Sequence, residues 1–381
     1  IPVMVCTICF LVSCSPTTAT KSYVVTGSVK YNSTDQTSYN PAPDLLVSLY
    51  SVSDIQETQI AHVRNEFSNC IGSSVSINHL SELEDFPPVY TSYTDETGSY
   101  RIPNVSKGLY YVKYSNDDGL EYLSEQAIIV NSNIDLMHNI NPIVELIGVI
   151  DHMYTFDEDT TYKITGNIYF MEGITLSPSS RLKICQGVDV RVEDSVVCDL
   201  NENQYSYISG VSDNSVPKIV LNIRDSNVKN LIIGDLVDGL EIVAQEYIVL
   251  SNCFFYNSFL GAIITQNEES TMIKSSTFYN IKSPSTNSAG IVVYDSGVVI
   301  ERNLFFDCSI GLRTKLTSTT QCQRNLFYRC TNGYYGSGNC DDMVSNNDFI
   351  ESLGYSLVIF PESSYIITHN NIHSEYGIIK D

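Results

Sequence analysis

The sequence has no tryptophan, few basic residues and no long apolar run, and each shortage removes a class of protein. Lysine and arginine number 21 against 44 acidic residues, a net charge of −23. That balance speaks against a nucleic-acid partner, because phosphate binding needs clustered Lys and Arg. A polyanionic ligand is disfavoured as well unless cations bridge it. The acidic groups could hold calcium, but a solvated acidic surface that aids solubility is the preferred reading, and no cofactor is expected. The uncharged stretch Ile1 to Val12 is too short to span a bilayer. No CxxC pair follows Cys14, which speaks against zinc and leaves no metal site. Leucine does not recur at helical spacing, which excludes leucine-rich and helical repeats. Without Trp, any stacking on sugar rings falls to the 26 tyrosines.

What is present is a repeat. Phe254, Phe278, Phe305, Phe327, Phe349 and Ile372 recur at intervals of 24, 27, 22, 22 and 23 residues. Two places before each stands Asn252, Ser276, Asn303, Asn325, Asn347 or Asn370, and three further back Val249, Ile273, Ile300, Cys322, Val344 or Ile367. The units are rich in Val, Ile, Phe, Tyr, Asn and Ser with strand-like alternation, so each must be built of short strands. Three strands and three bends bring the chain back to its start, and identical columns then stack at the strand spacing. The Phe column forms an interior ladder. The Asn column is expected in a bend, bonding to the Asn of the next coil because Asn tolerates left-handed backbone and stacks well. Gly261, Gly290, Gly311, Gly333, Gly354 and Gly377 mark a second bend. Segment 283–288 is a surface loop that leaves the stack undisturbed.

These features resemble the right-handed parallel β-helix repeat family, the pectate-lyase-like fold, over residues 161–381. The resemblance implies a fold and not an activity, since that fold hosts lyases, hydrolases, epimerases, adhesins and non-catalytic proteins. The sequence stops at Asp381 in mid-repeat without a polar terminal unit, so a longer natural protein is expected.

Residues 22–131 read as alternating short strands with turns between them, a small β-sandwich. The stretch Thr94-Asp95-Glu96-Thr97-Gly98-Ser99-Tyr100 and its continuation to Val112, with Val25-Thr26-Gly27-Ser28-Val29, resembles the carboxypeptidase regulatory-like domain, a transthyretin-like sandwich. The resemblance implies a spacer or interaction module, not a peptidase. Residues 55–88 depart from that family as an insert too long for a hairpin loop. Residues 132–160, with Asn139-Ile140-Asn141-Pro142, read as a linker. The fold class is therefore all-β: a transthyretin-like sandwich followed by a right-handed parallel β-helix.

Residues 1–21 read as a signal and polar tether. Leu11-Val12-Ser13-Cys14 resembles the lipobox of bacterial lipoproteins, which implies lipidation at Cys14 and export to the outer membrane or cell surface. The missing Met and positive n-region indicate a sequence truncated at its start. Eight cysteines then remain, Cys70, Cys185, Cys198, Cys253, Cys308, Cys322, Cys330 and Cys340, and most read as small core residues. Cys308 and Cys330 share a repeat position, about 4.8 Å apart on adjacent coils. Stacked side chains point the same way, so two adjacent thiols are expected there.

Three local patterns bear on chemistry. Asp341-Asp342 resembles the adjacent aspartates of the polygalacturonase family, and Arg313-Thr314-Lys315 its Arg-x-Lys substrate clamp. In that family the basic pair follows the aspartates with a Gly-His-Gly between; here the order is reversed and no such element exists. Ile150-Asp151-His152 resembles a pectate-lyase tripeptide but falls in the expected linker. Tyr328, Tyr334, Tyr335 and Tyr355 lie in adjacent coils, where exposed rings could stack on sugar faces. The preferred reading is a non-catalytic, glycan-contacting or adhesin-like surface lipoprotein. The alternative is a polysaccharide lyase or glycoside hydrolase acting in a groove of the β-helix; two or three carboxylates clustered with a Lys or Arg in one groove would mark it.

Overall fold

The computed structural model describes residues 21–32, 39–56, 58–66, 87–124, 126–201, 204–211, 218–224, 226–237, 239–244, 246–265, 271–282, 288–360 and 364–380. Cys14, Cys70, most of the 55–88 insert and nearly all of the 283–288 loop lie outside them.

Two sheets form the N-terminal part. One joins Ser22–Asn32 with Tyr39–Pro41, Ser99–Ser106 and Ile134–Ile140; the other joins Leu46–Ser51 with Tyr90–Tyr93, Gly108–Ser115, Glu121–Leu123 and Ile128–Val130. Val25 and Val29 of the first share one core with Val47, Leu49 and Val112 of the second, so the pair is a β-sandwich. The turn at Asp95 closes through Gly98 N–H to Asp95 O at 2.8 Å. Gly98 has φ +73°, and a Cβ there would stand 2.3 Å from Val29 O, so only glycine fits.

The linker expected at 132–160 is replaced by secondary structure. Ile134–Ile140 runs parallel to Ser22–Asn32 as a strand of the sandwich, and Val144–Ile150 pairs with Thr161–Phe170 as the first coil strand. Only residues 141–143 connect them. Both strands are exposed on one face, with Met137 at 78% and Ile147 at 69%. Their outward positions are not uniformly polar, which hides the period-2 signal.

From Val144 onward the chain is a parallel β-helix. One coil reads Val298–Glu301, Leu304–Phe306, Ile310–Lys315, and the next Gln321–Gln323, Leu326–Tyr328, Asn332–Ser337. Each strand pairs in parallel with its equivalent one coil on, and three strands per coil give three faces. One apolar core runs inside from Phe156 to Leu357.

The interior ladder begins one residue later than the sequence spacing indicates. Phe255, not Phe254, pairs with Phe278 and stacks on it at 4.7 Å and 7°. The stack continues through Phe305, Phe327 and Phe349. Phe254 faces out of the coil into a separate cluster. The unit's other columns shift with it, to Cys253 for Asn252 and to Leu250 for Val249. Adjacent phenylalanines make either register plausible in sequence, and a one-residue slip exchanges inside and outside.

The amide ladder forms as expected. Asn303, Asn325 and Asn347 each donate both the backbone N–H and the side-chain amide to Oδ1 of the next Asn, at 2.9 to 3.0 Å. The left-handed residue is the one before the ladder, however: Arg302, Arg324, Asn346 and His369 have φ of 56° to 57°. Asn therefore stands in the column for its bonding capacity, not for its backbone. Gly261, Gly290, Gly311 and Gly333 lie inside strands and not at bends. A Cβ at Gly311 would stand 2.4 Å from Phe327 Cδ1, so the ring occupies the space a side chain would need. Gly354 lies outside this column, and Ser356 takes the position one coil beyond Gly333. Cys308 and Cys330 are free thiols that meet Phe278 O and Phe305 O, respectively.

Among the described residues the two parts meet at the insert and at Glu121. The described part of the insert forms α1 (Val52–Gln56) and α2 (Gln59–Glu66), whose Ile55, Ile60, Ala61 and Val63 pack with Tyr207, Ile232, Phe254 and Phe306 on the outer side of the second face. Glu121 of the sandwich meets Lys113 of its own sheet at 3.2 Å, and Lys183 and Arg181 of the β-helix at 2.7 and 3.5 Å.

Candidate functional site

Along Ile310–Lys315 side chains alternate across the sheet, and that alternation decides what the sequence candidates can do. Arg313 and Lys315 point outward and are half-buried, whereas Thr314 is fully buried. The outer columns run Val292, Arg313, Tyr335, Val358 and Tyr294, Lys315, Ser337. The Arg313 guanidinium lies over the Tyr335 ring at 5.1 Å. Lys315 Nζ donates to Tyr294 Oη at 2.9 Å and sits 4.8 Å from its ring centroid. Tyr335 meets Phe360 at 5.7 Å. Two cations and three aromatic rings thus share one outer face of adjacent coils.

The aspartates are elsewhere. Asp341 is exposed, and its neighbour Asp342 is buried inside the coil, because consecutive strand residues face opposite ways. Asp342 accepts from Thr320 N–H at 2.6 Å, from Ser318 Oγ at 3.1 Å and from Tyr334 Oη at 2.6 Å. Tyr334 Oη also meets Thr314 Oγ1 at 3.0 Å. The clamp residues point outward from one sheet while Asp342 points into the coil from another, and the polygalacturonase-like set does not assemble. Asp342 instead fixes the bend from Ser318 to Thr320.

Burial raises the Asp342 carboxyl above its ordinary range, only partly offset by the hydrogen bonds from Tyr334, Thr320 N–H, Thr314 and Ser318. Its folded pKa exceeds the unfolded one, so its contribution is complete in acid and is lost as pH rises through the raised value. Asp342→Asn is expected to flatten the decline in urea midpoint from the ordinary aspartate range toward neutrality. Parallel pH profiles for variant and wild type would remove this account.

The four tyrosines also separate. Tyr334 is fully buried inside the coil and is not a sugar platform, because Tyr335 takes the outward position of the same strand. Tyr328 is half-buried in the second-face cluster against Phe306 at 5.4 Å. Tyr355 is 39% exposed and packs edge-on against Tyr376 at 5.9 Å. Tyr294 and Phe360 were not singled out in the sequence. A column alignment of the strands would have found Tyr294, since it pairs directly with Lys315. Asp151 and His152 contact each other at 3.3 Å, and both are exposed just after the first coil strand. Among the described residues no three His, Cys, Asp or Glu side chains group so as to hold a metal ion, and no helix is long and apolar enough to cross a membrane.

Two solved structures are similar at low identity. A candidate carbohydrate binding protein from Pseudomonas aeruginosa shares 14% identity at a TM-score of 0.17, covering 32% of this chain and 92% of its own. An alginate lyase from a Paenibacillus species shares 12% at 0.28, covering 53% and 93%. At these scores neither likeness bears on fold or activity. None of the curated proteins matches the sequence. Residues 172–372, more than half of the chain, match the family model described as "Right handed beta helix region". With its coils, its ladders and that match, the protein belongs to the right-handed beta-helix family.

Proposed function

We propose that this is an exported surface lipoprotein, anchored at Cys14, whose β-helix holds glycan chains on its third outer face without cleaving them. The observation that carries the reading is the shared outer face of Arg313, Lys315, Tyr294 and Tyr335, with Asp342 confined to the interior. Aromatic faces stack on sugar rings, and cations beside them donate to hydroxyl or carboxylate oxygens. Neighbouring coils set these groups about 4.8 Å apart along the face, which suits an extended chain. In this reading the N-terminal sandwich is a transthyretin-like, carboxypeptidase regulatory-like spacer between anchor and rod.

The test is a glycan-array and polysaccharide-degradation screen on the full chain, with and without calcium. Binding without product release is expected, with about tenfold weaker affinity for a Lys315→Ala/Tyr335→Ala variant, matching about 1.4 kcal/mol. Release of unsaturated or shortened sugars would replace this reading by the enzymatic one. For the anchor, Cys14→Ala should abolish incorporation of a lipid label; a variant that stays labelled removes the lipoprotein assignment.

A further inference from the structure

The sandwich carries a cavity that the glycan reading does not use. Sheet pairing sets Leu46 beside both Tyr93 and Ser115, which makes a floor of three neighbouring strands. Around it gather Tyr31, the Pro43-Asp44 turn and the Asn116-Asp117-Asp118 turn, which bound an open cleft of about 440 Å³. That volume falls within the range of small-molecule sites. The Asn116 turn is held by Gly119 N–H to Asn116 O at 3.1 Å and by Leu120 N–H to Asn116 Oδ1 at 2.9 Å, which fixes Asp117 and Asp118 at its tip.

The lining combines two chemistries. Asp44, Asp117 and Asp118 supply negative charge at the rim, and among the described residues no Lys or Arg lines it. Pro43, Leu46 and the rings of Tyr31 and Tyr93 supply apolar and π surface, with Tyr93 as much as 67% exposed. Burial, and secondarily the Asp118 charge, push the Tyr31 phenol up, so it stays protonated and able to donate. A hard metal ion wants oxygen ligands all round and gains nothing from ring faces. An organic cation gains from both, since carboxylates pair with its charge and aromatic faces attract it as its body covers apolar surface.

We infer that this cavity binds an organic ammonium group, a primary amine on a small apolar or sugar body. An unacetylated amino sugar and a lysine side chain share that chemistry. The site is separate from the β-helix face, so it stands or falls independently of the proposed glycan contact.

Calorimetric titration of the full chain with glucosamine, N-acetylglucosamine, Nα-acetyl-lysine amide and calcium chloride tests it. At least one amine probe should bind about tenfold or more tightly than N-acetylglucosamine, because acetylation removes the charge. The tighter amine identifies the source. Asp117→Asn/Asp118→Asn should weaken that binding about tenfold, and Tyr93→Ala should weaken it too. All three residues are exposed, so an unchanged melting temperature confirms intact folding. Lys315→Ala/Tyr335→Ala should leave amine binding unchanged, which separates this site from the glycan face. Three results would overturn the inference: no heat with either amine, equal binding of the acetylated sugar, or calcium binding that displaces the amines.

Discussion

Phe327→Ala is expected to lower the unfolding free energy by about 3–5 kcal/mol, the range for truncating a large buried aromatic. Phe327 is fully buried between Phe305 and Phe349, with centroids 4.7 Å away on either side and ring planes within 5°. Its removal opens a void in the middle of the stack and breaks both contacts, each about 0.5–1.5 kcal/mol beyond area burial. A coil touches only its neighbours, so the loss should centre on the coils around it and appear first as faster amide exchange there. Gly311→Ala offers a paired measurement. Its new Cβ would stand 2.4 Å from Phe327 Cδ1 and 2.7 Å from Gly333 O, so it should be damaging alone and partly tolerated beside Phe327→Ala. A urea-unfolding loss below about 1 kcal/mol for Phe327→Ala would contradict a packed ladder.

Glu121→Gln should cost about 3–5 kcal/mol by removing the negative charge that Lys113, Lys183 and Arg181 share at the junction of sandwich and β-helix. The Glu121 side chain is 19% exposed and Arg181 only 5%, so water screens this cluster poorly. Burial alone would raise the carboxyl; the three cations outweigh it and hold Glu121 well below the ordinary glutamate range. Its folded pKa lies below the unfolded one, so its stabilisation is complete above the ordinary glutamate range and is lost as pH falls through the depressed value. Wild type should therefore lose stability in acid more steeply than Glu121→Gln, opposite in sign to Asp342. Unfolding curves from neutral to acid pH check both points. A variant with an unchanged midpoint and acid slope would show that the cluster contributes nothing net.

The repeat was legible because stacking forces identical residue types to recur at each coil, and the Asn ladder was legible because its bonding follows from that recurrence. Phe254 was misplaced for a local reason: two adjacent phenylalanines fit the same column, and only strand pairing selects Phe255. The glycine column was visible but its cause was not. A ring from another part of the coil fills the Cβ position, and nothing adjacent in sequence reports that. Among the tyrosines, Tyr334 and Tyr335 are indistinguishable in sequence, yet a phenol bonded to Asp342 fixes one inside and leaves the other beside Arg313.

Composition and periodicity by themselves determined that the C-terminal part is a stack of short strands with aromatic and amide ladders, because each column must satisfy the same packing and hydrogen-bond demands on every coil. Tertiary structure alone decided which residues meet across faces. It put Asp342 inside and Lys315 outside, closed Glu121 among three cations from the sandwich and the β-helix, and gathered two turns around one cavity. Those contacts join residues far apart in the chain, and the one-residue difference between inward and outward is fixed by neighbouring strands rather than by local sequence.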